Sequence, residues 1–308
     1  MLEELLKELY DKNFPEEELL PVVICSQSAV ELKYFELQCF EGRIKFQDPV
    51  TSFDYFPYKV DDSVSQNTTL ELYALITSFD RTHSKTFSKI LDDKKDRVKW
   101  VFLLDWTQMC QGTWMRYINN QLNDLIENGY TIDNSNIIIW CLNSNNIYDI
   151  QRNDVRWEPY HFDYLQQCLR SQIYYVHGSL VYHNSERSRI NYQRLFVDLC
   201  LYEHDHNNTT NNKLKQYTEM VKLSEICIPF GMDSPELIQT IDENFDPSKV
   251  RSPDFIEKYY EKVIPSLELP SKHPIKVKDS IPFIDIQKEL QIMYDHSKEK
   301  SRESLHKK

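Results

Sequence analysis

The stretch "VVICSQSAVELKYFE", residues 22–36, has the layout of a phosphate-binding loop without its chemistry. A short apolar strand, residues 22–25, leads through polar residues into a predicted helix. A phosphate loop reads G-x-x-x-x-G-K-[ST], because glycine lets backbone N–H groups point at phosphate and lysine balances its charge. This stretch contains no glycine, and a glutamate stands near the lysine position.

Each residue that the loop motif requires is replaced here. The residues at and around the motif positions are Cys25 at the first glycine, Ser26, Gln27, Ser28, Val30 at the second glycine, Glu31 at the lysine and Leu32 at the Ser/Thr. A glutamate at this place is expected to repel a β- or γ-phosphate. We therefore predict a degenerate loop that binds no nucleotide, cofactor or metal. The strand-loop-helix unit still buries apolar area at roughly 25 cal/mol per Å², so the fold can persist without a ligand.

Apolar runs and amphipathic segments alternate along the chain and predict an α/β fold with a mostly parallel sheet and flanking helices. The predicted strands are 22–25, 70–77, 98–106, 136–142 and 171–178. The predicted helices are 113–128, 159–170 and 191–203. Gly129 is a natural stop for the first of these helices.

The sequence predicts five segments. They are an N-terminal amphipathic helix in 1–20, an α/β domain in 21–203, a flexible polar loop in 204–213, a C-terminal extension in 214–296 that packs on the domain, and a disordered tail in 297–308. The extension contains a predicted helix near 281–294. His204 and His206 lie in the polar loop, and two such ligands do not make a structural zinc site.

Composition excludes several classes of partner. The net charge of −12 disfavours nucleic acid and an anionic membrane surface, since both carry negative charge. The seven cysteines form no C-x-x-C pair, which indicates a reduced, intracellular protein. No apolar run reaches the roughly 18 residues needed to span a bilayer.

Polar residues follow two further predicted strands, at the edge where open α/β sheets bind ligands. Asp105 ends "VFLLD" as a magnesium-binding Asp would, which leaves open a divergent nucleotidase. Residues 143–145, "NSN", lack the lysine and the acid that recognise guanine. Trp106 and Trp114 flank a loop at this edge and are candidates for an exposed partner surface, although aromatic residues more often fill a core.

One segment carries a specific resemblance. "ICIPFGMDSPELIQTIDENF", residues 226–245, resembles the stretch after the GTPase-like domain of cytoplasmic dynein light intermediate chains. The matching residues, in identity and spacing, are Ile228, Pro229, Gly231, Asp233, Ile238, Glu243, Asn244 and Phe245. Other parts align in order, including "LLDWTQMCQGTW" (103–114), "WCLNSN" (140–145) and "DSIPFIDIQKELQIMYDH" (279–296). The resemblance spans residues 20–296.

The resemblance implies a Ras-like, P-loop NTPase-like domain with a degenerate nucleotide site. It implies a short, fungal family member that is not an enzyme and docks on the tail of the dynein heavy chain. The implied partners are that tail, other dynein subunits and, indirectly, microtubules, in the cytoplasm and cytoskeleton, at a spindle pole or the cortex. The implied roles are nuclear migration and spindle positioning. A cargo-adaptor arm is not expected, because the chain stops near residue 308.

Two alternatives stay open at this stage: a divergent nucleotidase, and a pseudo-GTPase scaffold of another complex. For the favoured interpretation, we expect residues 228–245 to pack back on the domain and support a docking surface. The predicted supporting residues are Trp106, Trp114, Ile228, Pro229, Gly231, Asp233, Asn244 and Phe245.

Overall fold

The computed structural model describes residues 18–46, 53–60, 68–76, 90–108, 110–132, 136–186, 190–202 and 213–265. All of them lie within one compact unit, Met1–Leu267. Several predictions fall outside the described residues: the N-terminal helix up to residue 17, most of the polar loop with His204 and His206, the helix near 281–294 and the tail. The predicted N-terminal helix extended to residue 20, whereas residues 18–20 begin the first strand of the sheet.

A seven-stranded sheet forms the centre of the described structure, in the order β2-β3-β1-β4-β5-β6-β7. The strands are β1 (Glu18–Cys25), β2 (Phe53–Lys59), β3 (Thr68–Leu75), β4 (Lys99–Asp105), β5 (Ile137–Leu142), β6 (Ser179–Tyr182) and β7 (Cys227–Ile228). Strands β2 and β7, at the two edges, are antiparallel to their neighbours, and the other pairs are parallel. The predicted mostly parallel α/β architecture is confirmed.

Helices cover both faces of this sheet. They are α1 (Ala29–Phe40), α2 (Trp114–Glu127), α3 (Asn146–Asn153), α4 (Pro159–Tyr175), α5 (Tyr192–Leu201), α6 (Pro235–Gln239) and α7 (Glu261–Val263). Shorter 3₁₀ or π segments are Asp92–Arg97, Gln111–Thr113, Pro247–Arg251 and Ile256–Tyr260.

Strand β4 shows why its sequence is a continuous apolar run. Successive side chains of a strand point to opposite faces. Trp100 and Phe102 enter the core beneath α2 and α4, whereas Val101 and Leu103 enter the core beneath α1 and α5. Both faces of the strand are therefore buried, as the sequence predicts for a central parallel strand.

The predicted strand at 171–178 is wrong, because this stretch is the last part of α4 followed by a turn. Leu165, Leu169 and Ile173 continue one buried face at four-residue spacing, which holds the segment in the helix. The helix ends at Tyr175, His177 beyond it has a φ of 51°, and the Gly178 N–H donates to the Ile173 carbonyl at 2.8 Å. The strand β6 then begins at Ser179.

Candidate functional site

The turn between β1 and α1 is closed by a carboxylate from the helix itself. The Gln27 backbone N–H donates to Glu31 Oε2 at 2.7 Å, and Ser26 Oγ lies 3.0 Å from the same oxygen. Ser28 caps the helix, since its Oγ accepts the Glu31 N–H at 3.2 Å. The N–H groups of Gln27, Ser28 and Glu31, which a phosphate loop would offer to a ligand, are thus engaged within the chain.

Glu31 is 1% exposed, and this burial dominates its electrostatics. Burial raises the pKa of the Glu31 carboxyl to about 7, against the lowering effect of the bonds from Gln27 and Ser26, and the charge of Asp105 raises it further. We expected this residue to repel a phosphate. The structure shows instead that its carboxylate fills the turn.

The other residues of the degenerate loop divide between core and surface. Cys25 and Leu32 are buried, at the end of β1 and on the inner face of α1, while Val30 is exposed. They contact the core or solvent as apolar side chains.

Asp105 is a buried acceptor of local hydrogen bonds. Its Oδ1 accepts from the Thr107 backbone N–H at 2.9 Å and from Asn143 Nδ2 at 2.8 Å, and its Oδ2 accepts from Thr107 Oγ1 at 2.6 Å. Both carboxylate oxygens are engaged in fixing the turn after β4. This geometry favours the turn role over the magnesium role that the sequence left open.

The ends of β5 and β6 are engaged by the segment after α5. Ser144 Oγ donates to the Ser224 carbonyl at 2.6 Å. Asn184 Nδ2 lies 3.4 Å from both Ser224 Oγ and Glu225 Oε1. Ser144 and Asn143 are buried, so the edge that would recognise a base is covered by the chain's own residues.

Trp106 and Trp114 lie in the core, 1% and 0% exposed, and are not a surface pair. Their rings meet edge to face with centroids 4.9 Å apart, and Trp106 also packs against Phe162 and Tyr182. They can support a surface only through packing. The sequence predicted that they lie near the ligand edge, because they follow a strand. It did not show that α3 and α4 cover them.

The segment 228–245 owes its motif to local structure. The Met232 N–H donates to the Pro229 carbonyl at 3.1 Å, and Gly231 between them has a φ of 72°, a conformation that favours glycine. Asp233 follows this turn, and its carboxylate accepts from Arg170 Nε and Nη2 at 2.8 and 2.7 Å. The proline and the glycine thus form the turn, and the aspartate fastens the segment to α4.

The end of the same segment is fastened by its apolar residues. Ile228 and Phe245 are buried, and the Phe245 ring packs edge to face on Tyr164 of α4 with centroids 5.6 Å apart. Gln167 of α4 donates to the carbonyls of Ile238 and Asp242. Asn244 is exposed, and its side chain bonds locally, to Asp242 Oδ1 at 3.0 Å.

A polar surface cavity of about 570 Å³ lies between the end of α1 and the loop before α5. Its described lining includes Gln38, Glu41, Asn184 and Glu186, and none of the described lining residues is Lys or Arg. Glu41 pairs with Arg43 at 3.4 Å, and Glu186 accepts from Asn145 Nδ2 at 3.2 Å.

Within the described part of the chain, no group of three or more His, Cys, Asp or Glu side chains is arranged to hold a metal ion. No helix among these residues combines the length and the apolar character needed to cross a membrane.

Sequence reasoning missed the role of Glu31, although a signal was present. "SAVE", residues 28–31, fits the S-x-x-E pattern in which a glutamate in the first helical turn bonds backward to backbone N–H groups. The partners of Ser144 and Asn184 had no comparable local signal, because Ser224 is 80 residues from Ser144.

The fold and its edge define a class of protein: a P-loop NTPase-like α/β domain whose nucleotide edge is occupied by its own residues. No family model matches the chain. The crystal structure of the dynein light intermediate chain's conserved domain shares the fold, with a TM-score of 0.55 at 17% identity, over 76% of this chain and 89% of that one.

Curated relatives bear the name cytoplasmic dynein intermediate light chain DYN3. The relative from Candida glabrata is 38% identical over 94% of each chain, and that from Saccharomyces cerevisiae is 30% identical, also over 94% of each. A third, from Eremothecium gossypii, is 23% identical over 89% of this chain and 75% of its own. The chain therefore belongs to the cytoplasmic dynein intermediate light chain family, and its class is that of a dynein accessory subunit. The family and the Ras-like fold predicted from the sequence are confirmed.

Proposed function

We propose that this chain binds the tail of the dynein heavy chain as a non-catalytic subunit and stabilises that tail. Two observations together support the proposal. The chain belongs to a family of dynein chains, and its own residues occupy the edge of the sheet where a nucleotide would bind. Relatives that cover nearly the whole chain are named as dynein chains. A domain whose ligand edge is engaged from within has to act through its surfaces.

The hydrogen bonds of Glu31 and Asp105 support the proposal that the chain is not catalytic. Phosphoryl transfer depends on positioned phosphates and on metal ions held by carboxylates. Glu31 fills the turn where a phosphate would lie, and the oxygens of Asp105 accept from Thr107 and Asn143. The nucleotidase alternative therefore gains no support from this site.

We further propose that residues 228–245 support the docking surface without contacting the heavy chain directly. Ile228, Pro229 and Phe245 are buried, and Asp233 is bound to Arg170. These contacts hold the segment on α4, so the segment can brace the neighbouring surface of the domain in one position. In the cell, we propose that the chain acts within the cytoplasmic microtubule motor at a spindle pole or the cortex. The proposed processes are nuclear migration and spindle positioning.

The test is co-purification of the full-length chain with a recombinant dynein heavy-chain tail. The proposal predicts a stoichiometric complex at micromolar concentrations. The absence of a complex would contradict it. An unbiased pull-down separates the remaining alternative, because a scaffold of another complex would recover a different set of proteins and no heavy chain.

A further inference from the structure

The β1–α1 turn has the physical character of an anion site. The N-terminus of a helix carries unpaired N–H groups and the positive end of the helix dipole, which together favour negative charge. Helix α1 begins at Ala29, and the Gln27 N–H and the Ser26 hydroxyl lie just before it. Glu31 Oε2 accepts the Gln27 N–H and lies 3.0 Å from the Ser26 hydroxyl, which also lies 2.6 Å from the Ser28 carbonyl oxygen.

An ordinary helix cap does not account for this arrangement. In a capping box the glutamate bonds the N–H of the capping residue. Here the capping residue is Ser28, and the carboxylate reaches one residue further back, to Gln27. The Glu31 side chain is also buried and close to the charge of Asp105. Among the described residues it forms no ion pair, and the hydrogen bonds from the turn offset only part of the cost of burying its charge, because the pKa of the carboxyl is still raised to about 7.

We propose that Glu31 is an internal anion that takes the place of a bound phosphate and holds the β1–α1 turn in one conformation without a ligand. The turn keeps the donors of its fold class, and the first turn of α1 supplies the acceptor. The ends of β5 and β6 are likewise covered by residues of the chain itself, Ser224 and Glu225. The domain is thereby locked in a single state. This proposal concerns the chain alone and stands apart from heavy-chain binding.

Hydrogen–deuterium exchange at the Gln27 amide tests, in the full-length protein, whether Glu31 holds the turn. The variants are Glu31→Ala and Glu31→Gln, with Glu127→Ala as the control, because Glu127 is an exposed acid at the end of α2. At pH 8, the loss of a hydrogen bond to a carboxylate should speed exchange at Gln27 by at least about tenfold in Glu31→Ala. Glu31→Gln should lie between this variant and the wild type, and the control should match the wild type.

Formate provides a second readout, since it is a small carboxylate that can enter the space left by the Glu31 side chain. Formate should raise the thermal midpoint of Glu31→Ala more than that of the wild type or of Glu127→Ala, at matched ionic strength maintained with chloride. Equal shifts in all three proteins, or unchanged exchange at Gln27, would overturn the proposal. If Glu31→Ala does not fold, the Glu31→Gln variant decides. An exchange rate at Gln27 equal to that of the wild type would then overturn the proposal.

Discussion

Arg170 and Asp233 form a bidentate ion pair that joins the middle of α4 to the segment after β7. The two side chains are 2% and 3% exposed, and the two nitrogen–oxygen distances are 2.8 and 2.7 Å. Arg170 faces inward from a helix that is buried along most of its length. This pair explains why an aspartate follows the Pro-x-Gly turn in the segment that resembled the family.

Removing one partner of this pair should destabilise the fold strongly. Asp233→Asn leaves a buried guanidinium without its counter-charge, which typically costs about 3–5 kcal/mol. The same change in the exposed Lys258–Asp254 pair, Asp254→Asn, should cost less than about 1 kcal/mol. Urea unfolding measures both free energies. Similar small losses in the two variants would contradict the role assigned to the buried pair.

The double variant Arg170→Met/Asp233→Leu refines the same test. Apolar replacement of both partners removes the unpaired charge, so the double variant should be more stable than Asp233→Asn. The matching single variants are Arg170→Met and Asp233→Leu, and a double variant whose loss equals the sum of their two losses would mean that the charges do not act as a pair.

Two glycines should respond differently to alanine. Gly231 has a positive φ but open space around its Cα, so Gly231→Ala should cost only the strain of the left-handed conformation, about 1 kcal/mol. A Cβ at Gly178 would lie 2.7 Å from the Ile137 carbonyl oxygen in the neighbouring strand. Gly178→Ala should therefore cost more, roughly 2–3 kcal/mol. Chemical denaturation of both variants checks the order, and the reverse order would be inconsistent with this packing.

Glu31 should make stability depend on pH. Its pKa rises from 4.5 to about 7 on folding, mainly through burial. The folded state therefore binds the proton more tightly, and the stabilisation present below pH 4.5 is lost as the pH rises through 7. The shift corresponds to roughly 3 kcal/mol. Unfolding free energies of the wild type and of Glu31→Gln should converge or cross along this range, because the variant lacks the titration. If the unfolding free energies of the two proteins ran parallel from pH 4.5 to 8, the raised pKa of Glu31 would be contradicted.

Nucleotide should not bind to the isolated chain. Isothermal titration with GTP or ATP and magnesium is expected to give no binding heat at millimolar ligand. Glu31 occupies the β1–α1 turn through its bond to the Gln27 N–H, and the oxygens of Asp105 are engaged within the chain. Tight binding that Asp105→Ala abolishes would favour the nucleotidase instead.

The sequence predicted the central strands and α2 well, because their patterns are local. Strand β5 is an unbroken apolar run, and Gly129, with a φ of 77°, ends α2 as its position indicated. The edge strand β2 and helix α3 were not predicted, since Pro57 interrupts the first and only eight residues make the second. The residues 171–175 were assigned to a strand from their composition, whereas the buried face that they continue keeps them in α4.

The candidate site was harder to predict than the fold. The absence of the phosphate-loop residues was evident, but the motif alone could not show that Glu31 turns back toward Gln27. The cover that Ser224 provides for Ser144, and the burial of Trp106 beneath α4, depend on contacts between distant parts of the chain. Such contacts have no local sequence signature.

The most direct test of the account is the nucleotide dependence of heavy-chain binding. The full-length chain, stripped of nucleotide and magnesium by denaturing and refolding in EDTA, would be mixed with the dynein heavy-chain tail and analysed by size-exclusion chromatography with light scattering. The account predicts a stoichiometric complex whose amount does not change when GTP and magnesium are restored. Failure of a correctly refolded chain to bind, or binding only after nucleotide is added, would contradict it.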